Sequence, residues 1–144
     1  MVDIVPAHVP EMLESVRLLF AEFADGGGAD LASPEFLGEI AGLPGEYAPP
    51  TGRLLVAYEA AHLAGCGALR GSGGGAASLV RVYVREEYRN EMVERALVQR
   101  LLREAAVAGY SAVECDPADS MRGLTAYLTE AGFTETDGVL RLEL

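Results

Sequence analysis

The sequence of 144 residues contains no tryptophan, only two cysteines, and half as many basic residues as acidic ones. Eleven basic residues against 22 acidic residues give a formal net charge of −11. Because neutralising nucleic-acid phosphates needs clustered basic side chains, this balance argues against a nucleic-acid partner. The acidity suits a cationic small molecule or a basic partner, and it also serves solubility alone.

Long hydrophobic runs and a basic N-terminal segment are missing as well. No apolar stretch approaches the ~18 to 20 residues of a membrane span, and Met1–Asp3 carries an acid where a signal peptide has basic residues. Cys66 and Cys115 lie in separate apolar segments and are predicted to be buried thiols. Neither His8 nor His62 has metal-ligand spacing to a cysteine, so no metal site is predicted. We expect a cytoplasmic protein without membrane contact.

The length and periodicity of the chain predict one domain over residues 1–144. The hydrophobic pattern gives the order β α α β β β α β α β, with a further short strand around residues 133–136. Helices connect strands on both sides of the strand that begins at Tyr110. This arrangement favours an α/β sheet with both parallel and antiparallel pairs.

Three predicted elements frame the part of the chain that bears on function. In the segment AASLVRVYVRE, every second residue is valine, so Val80, Val82 and Val84 are predicted to share one face of a strand. The next helix is predicted from about residue 91 to 108, and the last helix from residue 120 to 131.

Four local sequences follow this order: GRLLVAYE…LAGCGALR, LVRVYVREEYR, RALVQRLLREAAVAGY and DPADSMRGLTAYLTEAGF. With the element order, they resemble the GCN5-related N-acetyltransferase (GNAT) superfamily, best from Thr51 to Phe133. The resemblance implies an α/β (α+β) fold, with helices flanking a mixed central sheet that is splayed between strands four and five. It also implies acetyl-CoA as cofactor and acylation of an amine.

The elbow between the fourth strand and the next helix departs from this family. The family's pyrophosphate-binding motif, Q/R-x-x-G-x-G/A, aligns with residues 89–94, which read RNEMVE. Met92 and Glu94 fill the two small positions, and such side chains obstruct a pyrophosphate that needs bare backbone donors. The resemblance assigns cofactor binding to this elbow and to the main chain of the fourth strand: Val82, Val84, Arg89, Asn90, Glu91, Met92, Val93 and Glu94.

The same elbow also matches an ordinary helix start. Asn90 is a preferred N-cap, Glu91 and Glu94 place acids in the first turn, and Glu91 and Arg95 form a favourable i, i+4 pair. A carboxylate ~4 Å from a phosphate costs about 4 kcal/mol at an effective dielectric near 20. We therefore predict a degenerate loop whose helix satisfies its own N–H groups, with an altered but working CoA site as the alternative.

The family's catalytic positions are changed too. The tyrosine that protonates the departing thiolate in many members falls on Leu128, which has no proton to give. Tyr127 is adjacent, but one residue turns about 100° around a helix, so it is predicted to face elsewhere. Ser78 and Val80 stand where members carry an acid. Besides Tyr127, the remaining catalytic candidates are carboxylates on or near strands: Glu59, Glu114 and Asp116.

Two hypotheses follow. The favoured one is a GNAT-fold protein impaired in acetyl-CoA use that serves as a ligand-binding or dimerisation module, with a homodimer as one form. The alternative is an active acetyl-CoA-dependent N-acetyltransferase that acts on a small-molecule or peptide amine. The amine would enter past a predicted acidic rim, formed by Asp25, Asp30, Glu35, Glu39 and Glu46.

Overall fold

The computed structural model describes residues 1–144 and contains one seven-stranded sheet with four α-helices. The strands are β1 Val2–Pro6, β2 Arg53–Glu59, β3 His62–Gly73, β4 Ala76–Val84, β5 Ala112–Cys115, β6 Thr134–Thr136 and β7 Val139–Glu143. The helices are α1 Pro10–Phe23, α2 Pro34–Ala41, α3 Met92–Val107 and α4 Leu124–Glu130. In the sheet order β1-β2-β3-β4-β5-β7-β6, only β4 and β5 run parallel. The predicted mixed sheet and element order are confirmed.

Helices cover the sheet on both faces. The helices α3 and α4 pack on one face in a cluster of 20 buried residues, and α1 and α2 pack on the other in a cluster of 14. The apolar stripe of α3 is fully buried in the larger cluster, and it consists of Val93, Leu97, Leu101 and Ala105. Each large aliphatic side chain buried in this way contributes about 1.5–3 kcal/mol.

Strand β4 contains a bulge that the sequence did not reveal. Arg81 has a positive φ of 58°, and the pairing of β4 with β3 shifts at this point. The prediction that three alternating valines share one face is therefore wrong. Val80 packs on the α1 side of the sheet, whereas Val82 and Val84 pack on the α3 side. A bulge adds one residue to the strand and so reverses the faces that follow it.

Two helix ends frame the loops near the sheet. After α1, residues Ala24–Gly28 form a π-helical turn. Helix α4 begins at Leu124 rather than at Ser120, after Gly123 with a φ of 87°. Such a left-handed conformation favours glycine, so Gly123 separates the helix from the extended Ser120. No helix of the structure combines the length and the apolar character that crossing a membrane requires.

Candidate functional site

The splay between β4 and β5 is the first part of the site. The two strands pair at three positions only, from Ala76 opposite Ala112 to Ser78 opposite Glu114. Beyond them, the segment that follows β5 lies along the free edge of β4. The N–H of Met121 donates to the carbonyl of Val82 at 2.9 Å, and the N–H of Val82 donates to Ser120 Oγ at 3.1 Å.

The second position of this edge is occupied in the same way. The N–H of Val84 donates to Met121 Sδ at 3.3 Å, and the carbonyl of Val84 accepts from Arg89 Nε at 2.7 Å. Ser120 and Met121 are both buried, with 4% and 8% of their surface exposed. The resemblance assigned the main chain of Val82 and Val84 to cofactor binding, and all four of these N–H and C=O groups have partners within the chain.

The elbow before α3 has its own internal partners. Asn90 Oδ1 accepts from the N–H of Met92 at 3.1 Å, and Asn90 Nδ2 donates to the Glu59 carboxylate at 3.1 Å. The N-cap residue is Glu91 rather than the predicted Asn90, and its φ of 72° is left-handed. The predicted pair between Glu91 and Arg95 is present at 3.3 Å.

Glu94 turns inward instead of facing solvent. Its side chain is buried, with 3% of the residue exposed. Glu94 Oε2 accepts from the N–H of Glu91 at 3.3 Å and from the Tyr127 hydroxyl at 3.2 Å, while Oε1 is buried without a partner. Desolvation and the negative charge of Glu94 raise the pKa of Tyr127. The start of α3 therefore carries a buried carboxylate and two N–H groups capped by side chains, whereas a helix N-terminus that binds an anion presents free donors.

The structure does not bring the catalytic candidates together. Leu128 is fully buried in the core, and Tyr127 faces Glu94. Glu59 is held by Asn90, and Glu114 pairs with Arg141 at 3.2 Å. Asp116 caps the turn after β5, where its Oδ1 accepts from the N–H of Ala118. None of these five residues lines the main cleft, and no group of three or more His, Cys, Asp or Glu side chains is placed to hold a metal ion.

The main cleft has a volume of about 550 Å³. It lies between the π-helical turn after α1, the end of β4 with its elbow, and residues 117–122. Phe23 and Tyr83 form an aromatic wall, with ring centroids 6.4 Å apart. Arg89 and Arg122 also line it. Sequence reasoning missed Arg122, since nothing in its local pattern distinguishes it from a solvated surface arginine.

The carboxylates near the cleft are not equally available. Glu22 lines the cleft but accepts from Arg85 Nη2 at 2.8 Å and from the Tyr83 hydroxyl at 3.2 Å. Burial and the charge of Glu22 raise the pKa of Tyr83. Asp25 and Glu86 line the cleft without any side-chain hydrogen bond or ion pair within the chain. They are therefore the two free acids of this cleft.

The predicted acidic rim is partly neutralised. Glu39 receives two hydrogen bonds from Arg81, at 2.8 and 3.0 Å, and Glu46 pairs with Arg70 at 2.8 Å. The Arg81 guanidinium also stacks against Phe36, 5.5 Å from the ring centroid. These contacts tie α2 to β4 and leave a smaller negative charge at the rim than the sequence suggested.

Known proteins resemble this chain over most of its length. The sequence model of the acetyltransferase (GNAT) family matches residues 16–133. An uncharacterised N-acetyltransferase of Schizosaccharomyces pombe is 29% identical over 138 residues, which cover 94% of this chain and 85% of that protein.

Two solved structures share the fold at low sequence identity. A GNAT-family acetyltransferase of Staphylococcus aureus has a TM-score of 0.82 at 11% identity, covering 100% of this chain and 99% of its own. The PaiA N-acetyltransferase of Thermoplasma acidophilum, solved in complex with coenzyme A, has a TM-score of 0.74 at 17% identity, with coverage of 100% and 99%.

Proposed function

Since this chain belongs to the acetyltransferase (GNAT) family, we propose that it is a GNAT-fold protein impaired in the use of acetyl-CoA that binds a small-molecule ligand in its main cleft. The observation that carries the proposal is the occupied edge of β4. Both main-chain groups of Val82 and of Val84 have partners in the chain. A pantetheine arm would have to displace Ser120 and Met121 before it could pair there.

The elbow supports the same proposal independently. A CoA pyrophosphate would have to replace the side-chain caps on the N–H groups of Glu91 and Met92. It would also approach the carboxylate of Glu94, which is buried at the start of α3. Both effects oppose an anion at a helix N-terminus, the place where it would otherwise be favoured.

The main cleft is open to a ligand. It exposes an aromatic wall beside free acids and arginines, the mixture of apolar surface and a few polar groups that small-molecule sites present. The free carboxylates of Asp25 and Glu86 suit the cationic group of a small-molecule amine. The proposal also includes a homodimer as a form of the protein, which sedimentation velocity would detect.

Calorimetric titration with acetyl-CoA tests the impaired cofactor site. We expect no binding heat up to millimolar acetyl-CoA, while a folded state is verified by thermal unfolding. Micromolar binding would overturn the proposal and favour an active enzyme.

The alternative function is an active acetyl-CoA-dependent N-acetyltransferase. It is favoured by the relative named an N-acetyltransferase, with which this chain shares 29% identity over 138 residues. Direct attack of an amine asks a protein mainly for positioning, so activity does not strictly require the missing tyrosine. Release of free CoA thiol from acetyl-CoA in the presence of an amine panel would detect this activity, and its absence would speak against the alternative.

A further inference from the structure

The basic side chains of this protein are almost all used internally. All eleven are arginines, and eight of them form ion pairs with carboxylates. The three without a carboxylate partner are Arg89, Arg103 and Arg122. In a chain of net charge −11, acidic side chains outnumber arginines, so an arginine without a carboxylate partner is the exception. Two of the three line the main cleft.

Arg89 is held in place while most of its donors stay free. Its Nε donates to the carbonyl of Val84 at 2.7 Å, and its guanidinium lies over the Tyr83 ring, 5.7 Å from the centroid. These two contacts fix the plane of the guanidinium. The Nη1 and Nη2 groups make no hydrogen bond within the chain, so they can donate to a ligand without first breaking a contact.

The backbone at Arg122 is placed by the neighbouring residue, and the side chain of Arg122 is exposed. Met121 is anchored on β4 through its main-chain N–H, which donates to the Val82 carbonyl at 2.9 Å. The next residue therefore starts from a fixed point at the cleft, and its side chain makes no hydrogen bond or ion pair within the chain. A guanidinium with five free donors is suited to a planar carboxylate.

Opposite charges are available in the same cleft. Asp25 follows α1 in the π-helical turn, and Glu86 belongs to the turn after β4. Both carboxylates line the cleft without partners, and neither arginine of the cleft has a carboxylate partner. The cleft thus presents two arginines without a carboxylate partner and two free carboxylates beside an aromatic wall. Glu86 and Arg89 share the turn after β4, and Asp25 and Arg122 lie on two other segments.

We propose that the main cleft binds a zwitterionic small molecule of the amino-acid class. Its carboxylate is held by Arg89 and Arg122, and its ammonium group by Asp25 and Glu86. The inference rests on the proposed ligand-binding role of the cleft, but not on the impaired use of acetyl-CoA. Arginine binds both carboxylates and phosphates. Because two free acids line the same cleft, we expect a ligand that carries a positive charge as well as a negative one.

The test is a two-dimensional NMR titration of the full chain, without CoA, with each proteinogenic amino acid. We expect at least one of them to bind with a dissociation constant below about 1 mM and to shift the backbone amides around residues 25–28 and 122. Its primary amide, which lacks the carboxylate, should bind about tenfold more weakly or worse. Its N-acetyl derivative, which lacks the ammonium group, should bind more weakly by a similar factor.

Matched arginine variants separate the cleft from general charge. Arg122→Ala should weaken amino-acid binding by about tenfold or more, whereas Arg103→Ala, which removes the third unpaired arginine from the exposed side of α3, should leave it unchanged. Equal losses in the two variants would overturn the proposal, as would an amide that binds as well as its acid.

Two further outcomes would also overturn it. One is the absence of binding for every amino acid at about 10 mM, far above the dissociation constants of specific sites. The other is binding of inorganic phosphate that depends on Arg122 without any amino-acid binding, which would assign the arginines to a phosphate. Micromolar binding of acetyl-CoA would leave this inference standing and would overturn only the impaired cofactor site.

Discussion

The elbow before α3 adjoins the main cleft, and Arg89 belongs to both, yet the rest of the elbow and the cleft use their polar groups in opposite ways. At the elbow, side chains of the protein cap the backbone donors, as when Asn90 accepts from Met92 and Glu94 accepts from Glu91. In the cleft, Arg89 and Arg122 keep donors that no carboxylate of the chain takes up.

This difference underlies our proposal that a ligand binds in the cleft and not at the elbow. A saturated donor must exchange one partner for another, so its net contribution to binding is small, whereas a fixed and unpaired donor gains a partner. Two of the three arginines without a carboxylate partner line the cleft, and one of them, Arg89, is the first residue of the family motif.

The largest expected effect concerns Leu128, which packs in the core on the buried side of α4. Replacing Leu128 with alanine should destabilise the protein by about 2–5 kcal/mol, because the side chain is fully buried and its removal leaves a cavity. Urea unfolding measures the change. Thr129→Ala, on the exposed side of the same helix, should stay within about 0.5 kcal/mol of the parent. If Leu128→Ala destabilises the protein as little as Thr129→Ala does, the Leu128 side chain does not stabilise the core.

The sequence was sufficient for most of the fold. The spacing of Val93, Leu97, Leu101 and Ala105 fixed the buried face of α3, since period and burial follow from the same helical geometry. It was not sufficient at Arg81, where alternation of valines suggested a regular strand. A non-glycine residue with positive φ leaves no signal in hydrophobic patterning, so the reversal of faces after it was missed.

For the site, the sequence could identify substitutions but not their partners. Met92 and Glu94 stood out against the family motif as side chains at its two small positions. Glu94 turns inward to a residue that lies 33 positions later in the chain, Tyr127. Ser120 accepts from the main chain of a residue that lies 38 positions earlier, Val82. Such long-range pairing follows from the packed fold and not from local sequence.

The second effect in size concerns the occupied edge of β4. Ser120→Ala removes the acceptor of the Val82 N–H and should destabilise the protein by about 1–3 kcal/mol, since a buried donor is then unsatisfied. The matched control is Ser111→Ala, an exposed serine that donates to the Gly75 carbonyl, for which a change within about 0.5 kcal/mol is expected. Thermal unfolding of both variants decides the matter. If Ser120→Ala lowers the unfolding free energy as little as Ser111→Ala does, the Ser120 hydroxyl does not hold its segment on β4.

The third effect would turn the elbow into a ligand site. The double variant Met92→Gly, Glu94→Gly removes both side chains from the small positions of the motif and the buried carboxylate with them. We expect acetyl-CoA affinity to rise by about tenfold or more, because the like-charge repulsion and the steric obstruction are both relieved. Calorimetry compares it with the parent protein.

A second double variant separates the two causes. Met92→Ala, Glu94→Ala removes the charge but keeps a Cβ at both positions and preserves helix propensity. It should gain less affinity for acetyl-CoA than the glycine pair. Flat affinity in both variants would mean that the elbow is not the obstacle to CoA and that the occupied β4 edge alone closes the site.

The smallest effect is electrostatic and concerns the Tyr127 hydroxyl at the elbow. Desolvation and the charge of Glu94 raise the pKa of Tyr127 above its ordinary value of 10.0. A group with a raised folded pKa adds stability that is fully present below the unfolded value and is lost as the pH rises through the folded one. Unfolding free energy should therefore fall above pH 10, and the fall should be shallower in Glu94→Gln.

Ultraviolet absorbance of tyrosinate, followed against pH, measures the same coupling directly. Because the chain has six tyrosines, the Tyr127→Phe variant identifies the contribution of this one by difference. Glu94→Gln should lower the pKa of Tyr127, whereas Glu143→Gln, at the far end of β7, should not change it. If Glu94→Gln has no effect on this titration, the inward-facing carboxylate does not act on Tyr127. The elbow would then lack the internal charge that, in our proposal, sets it against a phosphate.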